Sequence, residues 1–156
     1  MIRLIMRGES TLISYLGSQI LGGVKKLEKR QFIIITDKYI IVGKYPRIPN
    51  IYLYSLITGS VLWPGDIKYR PKDMAKVMEA LDKHKKYAVP LEDIDMIDIN
   101  MPKTGFFTIR TKKGYITIRL KNGQSIKVVG EYECSFDNVV KLFNKLFPNK
   151  VRVFKQ

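Results

Sequence analysis

Apolar and polar residues alternate most regularly between residues 106 and 129, and this period of two predicts three antiparallel strands. A two-residue turn at Lys113-Gly114 would join the first two strands and bring their apolar residues together. The facing pairs would be Phe107 with Leu120, Ile109 with Ile118, and Thr111 with Ile116. One face of the predicted meander is therefore apolar and packs against the interior of the protein.

The second turn of the meander follows from the same alternation. A two-residue loop at Asn122-Gly123 would oppose Ile118 to Lys127 and mix the two faces. A three-residue loop with Gly123 in the left-handed conformation instead pairs apolar residues: Ile118 with Ile126, and Ile116 with Val128. The outward rows then contain Thr108, Arg119 and Ser125, and next to them Arg110, Thr117 and Lys127.

The outward face of this meander is strongly basic. Seven Lys and Arg residues and no acid lie between Lys103 and Gly130. Such a face is either an ordinary solvated surface or a contact surface for an anionic partner. If it is a contact surface, the anion-binding residues of the sheet are Arg110, Arg119 and Lys127.

A hairpin and two helices are predicted elsewhere. The runs QFIIIT and YIIVGK flank a tight connection at Asp37-Lys38, whereas TLISYLGSQIL before a Gly22-Gly23 break fits either a strand or a short helix. A helix at about 71–86 has a lysine-rich outer face, which places it on the surface, and a narrow apolar stripe of Met74, Val77, Met78 and Leu81. A second helix begins at the N-cap Ser135 and ends at Pro148-Asn149. Its wide apolar stripe covers a hydrophobic opening and comprises Phe136, Val139, Val140, Phe143, Leu146 and Phe147.

The length of 156 residues fits a single domain with one core. The 28 Lys and Arg residues against 14 acids give a net charge of +14, an excess that a polyanionic partner would explain. With Cys134 as the only cysteine we expect a cytoplasmic protein, and the bias toward Lys, Ile and Tyr is typical of thermophiles. We expect no secretion signal and no membrane-spanning segment, since the N-terminal apolar run is interrupted by arginines and no long apolar run follows.

The order of these elements resembles the pleckstrin-homology-like superfamily, in particular the compact bacterial and archaeal PH-like and GRAM-like domains. The resemblance covers about residues 9–44 and 88–147, in the segments FIIITDKYIIVGK, VPLEDIDMIDIN, FFTIRTKKGYITIRLKNGQSIKVV and FDNVVKLFNKLF. It implies a β-rich α+β fold: a bent antiparallel barrel closed by the C-terminal helix, in one domain spanning 1–156. Residues 45–87 would be an insertion with a short helix, and residues 148–156 a tail. Members of the superfamily bind phosphoinositides, peptides or other domains without shared ligand residues, so the resemblance assigns no site.

The insertion interleaves aromatic and basic residues. Its candidate anion contacts are Lys44, Arg47, Lys68 and Arg70, and its candidate aromatic contacts are Trp63, Tyr52 and Tyr54. Rings that stack on bases beside cations that neutralise phosphates suit single-stranded nucleic acid. The same composition suits an anionic bilayer surface, and it also suits a loop whose rings cover the core.

Catalytic signals are weak. His84 lies on the polar face of a lysine-rich helix, and Cys134 has no second Cys or His near it in sequence, so we expect neither to be catalytic. Glu92, Asp93, Asp95 and Asp98, with Glu79, could hold Mg²⁺ in a metal-dependent nuclease, but the alternation in DIDMIDI also fits a strand with one wet face.

The sequence therefore predicts a non-enzymatic binding module, without cofactor or metal, that docks through a basic surface to an anionic membrane or an acidic protein. Nucleic-acid binding is the alternative, and a metal-dependent nuclease is a third reading.

Overall fold

The computed structural model describes residues 15–54, 56, 59–66, 71–103 and 112–155, without the side chains of Pro71 and Lys72. Three of the predicted anion contacts, Lys68, Arg70 and Arg110, lie outside the described residues. The same holds for the strand predicted at 106–111, which includes Phe107, Thr108, Ile109 and Thr111.

The described residues form nine strands and three helices. The strands are β1 (Ile20–Val24), β2 (Gln31–Thr36), β3 (Tyr39–Lys44), β4 (Val61–Leu62), β5 (Lys85–Pro90), β6 (Ile94–Asn100), β7 (Tyr115–Leu120), β8 (Ser125–Val129) and β9 (Val151–Phe154). The helices are α1 (Ile51–Tyr54), α2 (Pro71–His84) and α3 (Phe136–Leu146). A five-stranded sheet has the order β4-β1-β2-β3-β5, and a four-stranded sheet has the order β8-β7-β6-β9.

The predicted α+β, strand-rich class is confirmed, but the predicted barrel does not close. Within the described residues each strand belongs to one sheet only, so no strand carries hydrogen bonds from one sheet into the other. The first core lies between the two sheets and includes Ile33, Ile97 and Ile118, all fully buried. Helix α3 contributes Val139 and Phe143 to the same core, as its predicted apolar stripe requires.

The five-stranded sheet is buried on both faces. On β2, Ile33 and Ile35 belong to the first core, whereas Phe32 and Ile34 belong to a second core beneath α2. Val77, Met78 and Leu81 of α2 are completely buried there, so this surface helix covers part of that sheet face together with residues such as Leu16 and Leu53. Burial on both faces explains why β2 and β3 are continuous apolar runs rather than alternating ones.

Two of the predicted hairpin connections are confirmed. Ile35 faces Ile40 across the Asp37-Lys38 turn between β2 and β3. Ile118 faces Ile126 across a three-residue loop between β7 and β8, in which Gly123 has the left-handed φ of +90°. The matched apolar rows selected this loop over the two-residue alternative.

The remaining pairing of the meander was predicted wrongly. The second neighbour of β7 is β6, so Ile118 faces Ile97 and Ile116 faces Ile99. Lys113 and Gly114 do not form a turn. Lys103 and Lys112 exchange two hydrogen bonds of 2.9 Å in line with the β6–β7 pair, and the C=O of Gly114 accepts a hydrogen bond of 2.8 Å from the N–H of Gly130. The edge of β7 that was predicted for residues 106–111 is therefore occupied by β6.

Glycine positions and the chain end differ from expectation as well. Gly22 and Gly23 lie inside β1 rather than at a break. The close packing there explains the glycines, because a Cβ on Gly22 would stand 2.8 Å from Leu142 of α3 and one on Gly23 would stand 2.6 Å from the C=O of Ile33. Before β1, Tyr15 and Leu16 are helical, so the two readings of this segment each describe part of it. The expected insertion contributes β4 and β5 to a sheet, and the expected tail forms β9, which runs parallel to β6.

Candidate anion-binding surfaces

The outer face of the four-stranded sheet carries the predicted cations. Arg119 on β7 and Lys127 on β8 are exposed on it, as the alternation requires. The strand β9, which was not predicted, adds Arg152 because Arg152 lies beside Asp98 in the parallel pair. The outer face therefore presents three cations from three strands.

Asp98 lies between two of these cations and is almost completely buried, with 2% of its surface exposed. Its carboxylate accepts hydrogen bonds from Arg119 Nε at 2.5 Å, from Arg152 Nε at 2.7 Å and from Arg152 Nη2 at 3.0 Å. Burial opposes ionisation of Asp98, but the bonds from the two arginines outweigh it and lower the pKa of the carboxyl. Asp98 therefore fixes two half-exposed guanidinium groups on the sheet.

Cation–π contacts hold Lys127 and Arg152 on this face. The ammonium of Lys127 lies 4.0 Å from the ring centre of Tyr115, and the guanidinium of Arg152 lies 5.7 Å from that of Phe154. Such contacts contribute about 0.5–1 kcal/mol each at exposed sites. The two rings are thus already engaged by cations of the protein itself.

The predicted acidic cluster does not gather into a metal site. Asp98 is held by arginines, Glu92, Asp93 and Asp95 are exposed around the start of β6, and Glu79 is exposed on α2. Among the residues with described positions, no group of three His, Cys, Asp or Glu side chains could hold a metal ion.

The surroundings of Cys134 and His84 bear on whether either side chain is activated for catalysis. Cys134 is buried, and burial raises the pKa of its thiol to about 12, the opposite of activation. His84 ends α2, where burial and then the charge of Lys83 lower the pKa of its imidazole.

Most aromatic rings of the insertion pack against the protein. Tyr45 is buried and stacks on Tyr54 with ring centres 5.1 Å apart. Trp63 is half-buried against the first core, and Tyr52 is half-buried against the second, with Lys76 at 5.6 Å from its ring. These rings therefore partly cover the two cores, and their role as contacts for a partner stays a prediction.

A second basic surface lies at one end of the molecule, where four connections meet. We call it the loop end. It comprises the β1–β2 connection (residues 25–30), the β3–α1 connection (residues 45–50) with Lys44, Ile51 and Tyr54 beside it, the residues before β7 (112–113) and the β8–α3 connection (131–133).

Its parts are joined by specific contacts. The N–H of Tyr45 donates to the C=O of Arg30 at 2.8 Å, and Lys113 Nζ lies 2.5 Å from Glu28 Oε1. That hydrogen bond raises the pKa of Lys113. Lys26 Nζ lies 3.4 Å from Glu133 Oε2.

The loop end is rich in cations. Three acids stand against eight basic residues: Lys25, Lys26, Lys29, Arg30, Lys44, Arg47, Lys112 and Lys113. A shallow groove of about 200 Å³ runs between Lys25, Arg30, Tyr45 and Tyr54. Of these eight, only Lys44 and Arg47 were predicted as contacts, and the described residues contain no contact that joins them to Arg119 or Lys127.

The backbone of the β1–β2 connection is strained. Lys26, Lys29 and Arg30 have φ angles of 62°, 59° and 58°, in the left-handed region that disfavours residues with a Cβ. Each such residue costs about 1 kcal/mol or more, and strain of this kind concentrates at functional sites. All three are cationic.

Two large aliphatic side chains stand exposed beside these cations. Ile48 is 81% exposed and Ile51 is 71% exposed, the highest values among the large apolar residues that the structure describes. Tyr132 of the β8–α3 connection is 67% exposed. The sequence contained these signals as the run KKLEKR and the segment PRIPNIY, but the pattern of a charged run beside a loop does not distinguish a binding surface from a solvated one.

No helix among the described residues is long and apolar enough to cross a membrane. No protein-family model, no curated protein and no solved structure matches the sequence.

Proposed function

We propose that this protein is a non-enzymatic module that docks to an anionic membrane surface through the loop end. The observation that carries the proposal is the position of Ile48 and Ile51, which are 81% and 71% exposed next to Arg47. A bilayer interface accommodates both kinds of side chain, because aliphatic groups enter the acyl boundary while cations meet the headgroups.

The aliphatic pair favours a membrane over nucleic acid. Nucleic acid offers phosphates to cations and bases to aromatic rings, but an isoleucine side chain gains little from either. At the loop end, the ring of Tyr45 is buried and that of Tyr54 is stacked on it, while the exposed ring of Tyr132 has the ammonium of Lys113 4.8 Å from its centre. The surface is therefore better suited to lipid than to unpaired bases.

The expected affinity is moderate. Each of the four cations Lys29, Arg30, Lys44 and Arg47 contributes about 1 kcal/mol near an anionic surface. Burial of the exposed parts of Ile48 and Ile51 contributes about 2–5 kcal/mol together, on the basis of about 1.5–3 kcal/mol for a fully buried isoleucine. Neither contribution is sufficient alone, so binding should require both anionic lipid and the isoleucines.

Vesicle co-sedimentation tests the proposal directly. The protein should sediment with vesicles that contain phosphatidylserine and not with phosphatidylcholine vesicles. An Ile48→Ser, Ile51→Ser variant should bind the anionic vesicles at least about tenfold more weakly, because tenfold corresponds to about 1.4 kcal/mol. A Lys29→Glu, Arg30→Glu variant should lose binding to a similar or greater extent.

Matched controls are available within the chain. Lys141→Glu with Lys145→Glu on α3 makes the same change in net charge on exposed positions away from the loop end. Val153→Ser removes another exposed aliphatic side chain, which is 43% exposed. Sedimentation that ignores lipid charge, or that falls equally in the controls, would contradict the membrane proposal.

Nucleic-acid binding is the second candidate, and the outer face of the four-stranded sheet is the observation that favours it. Arg119, Lys127 and Arg152 could contact successive phosphates on that face. Strong binding of single-stranded oligonucleotides that weakens steeply with salt and is lost in Arg119→Ala with Lys127→Ala would establish this function instead.

The relationship to the PH-like superfamily remains part of the proposal. Consecutive antiparallel strands followed by the C-terminal helix α3 support it, and so does the clustering of strand connections at the loop end.

A further inference from the structure

A cleft of about 590 Å³ lies between β5 of the five-stranded sheet and β8 of the four-stranded sheet, which are edge strands of the sheets that the described residues form. Its volume is in the range of ligand-binding pockets. Val89, Leu120 and Ile126 supply apolar surface, and Asn122 and Gln124 of the β7–β8 connection supply amide groups.

The main-chain edges of both strands face this cleft. Residues 87–90 of β5 line it consecutively, and so do Gln124 and the first two residues of β8, Ser125 and Ile126. Side chains of successive residues in a strand point to opposite faces, so a cleft lined by consecutive residues lies along the strand edge.

The hydrogen-bond pattern identifies which main-chain groups point outward. The N–H of Leu120 donates to the C=O of Gln124, so the alternation of an antiparallel pair turns the N–H and C=O of Ser125 away from β7. The N–H of Leu91 donates to the C=O of Lys38, and by the same alternation Ala88 of β5 turns its groups away from β3. Ala88 and Ser125 both line the cleft.

The charge of the cleft sets it apart from the rest of the surface. None of the described residues that line it is Lys or Arg, although the chain has 28 of them, and its one charged lining residue is Asp93. An anionic ligand would find no counter-charge among these residues. The cleft is therefore not suited to the anionic partner proposed for the basic surfaces.

We propose that this cleft binds an uncharged, extended peptide segment of a partner protein. The segment adds as a strand along β8, exchanges hydrogen bonds with the outward N–H and C=O of Ser125, and places alternate aliphatic side chains against Val89, Leu120 and Ile126. Main-chain bonds supply affinity in this mode, and the apolar floor selects the side chains. This activity is independent of membrane docking at the loop end.

The probe is a library of random heptapeptides displayed on phage and selected against the full chain. We expect enrichment of peptides with aliphatic residues at alternate positions and without acidic residues. Selected peptides, synthesised with blocked ends, should bind at least about tenfold more weakly to Ser125→Pro, which lacks the outward N–H and should leave the β7 ladder intact. Ser125→Ala, which keeps the N–H, should bind within about twofold of the unaltered chain.

Amide hydrogen exchange on the unaltered chain provides a second readout that does not depend on folding of the proline variant. The amides of Ala88 and Ser125 should exchange more slowly when a selected peptide is bound. The proposal is overturned if no peptide is enriched, if Ser125→Pro binds the selected peptides as well as Ser125→Ala does, or if neither amide is protected. It is also overturned if the free chain dimerises through these edges and peptides merely compete with a second copy. Phosphatidylserine-vesicle binding by Ser125→Pro should be unchanged, which separates this test from that of the loop end.

Discussion

Replacement of Asp98 by asparagine tests whether the buried carboxylate holds the outer sheet face together. Asp98 is 2% exposed and accepts three hydrogen bonds from Arg119 and Arg152. Hydrogen bonds to charged groups contribute about 1.5–3 kcal/mol each when buried. Both arginine side chains are 50% exposed and can be rehydrated, so we discount this sum for solvent screening. We expect Asp98→Asn to lower the free energy of unfolding by about 2 kcal/mol at pH 7.

The stability difference between the unaltered protein and Asp98→Asn should change with pH in a definite direction. The pKa of Asp98 is lowered in the folded protein relative to the unfolded chain, where an aspartate titrates near about 3.9. Its contribution is therefore fully present above that unfolded pKa and is lost as the pH falls through the lower folded pKa. Urea unfolding of the two proteins between about pH 7 and pH 3 should show a stability difference that is constant near neutrality and shrinks in acid.

Two results would refute the reasoning about Asp98. A difference below about 0.5 kcal/mol at neutral pH would place Asp98 among ordinary surface substitutions. A difference that grows as the pH falls would show that the carboxyl is destabilised in the fold, with burial outweighing the arginines. Arg119→Lys is a useful companion variant, because it keeps the charge and removes the Nε donor.

Three further predictions concern packing, reactivity and strain. Gly43→Ala should lower the free energy of unfolding by about 1–3 kcal/mol, because its Cβ would meet the buried Phe32 ring and lie 2.6 Å from the C=O of His84, whereas Gly59→Ala, with nothing within 4 Å, should be nearly neutral in urea unfolding. Burial raises the pKa of Cys134 to about 12, so a thiol reagent at about pH 8 should modify the native protein far more slowly than the urea-unfolded chain, and equal rates would contradict this. Lys29→Gly should raise stability by roughly 0.5 kcal/mol, since glycine accepts the φ of 59° that lysine resists, while it weakens vesicle binding; a loss of stability would show that Lys29 is not strained.

Local alternation predicted the parts of the fold that are set by neighbours in sequence. The pairing of Ile118 with Ile126 followed from matched apolar rows, and so did the helix that begins after Ser135. The other neighbour of β7 could not be obtained in this way, because residues 94–100 and 106–111 alternate equally well. The pairing with β6 also involves long-range packing. Gly114 lies against Phe136 of α3, so closely that a Cβ on Gly114 would be 2.7 Å from the ring.

In the candidate sites, too, the sequence predicted the features that local alternation decides and missed those that depend on distant residues. Arg119 and Lys127 were placed correctly on the outer face because the strand period decides their side. Asp98 was expected on a wet strand face, and its burial depends on Arg152 from β9, a strand formed by residues that looked like a tail. The sequence of the β1–β2 connection displays its cations, but the left-handed backbone of Lys26, Lys29 and Arg30 arises only when β1, β2 and Gly130 are brought together.

Three local costs coincide at the loop end. The backbone is strained at Lys26, Lys29 and Arg30, like charges are crowded there, and Ile48 and Ile51 expose aliphatic surface to water. Glycine at a strained position would remove backbone strain, and a polar residue in place of an exposed isoleucine would remove apolar surface from water. Each of these single substitutions should give a more stable chain. Sequences that fold well are locally consistent, and departures from that consistency gather where binding requires them. The Lys29→Gly variant tests both sides of this reasoning, because relief of the left-handed φ should raise stability whereas loss of the cation should weaken vesicle binding.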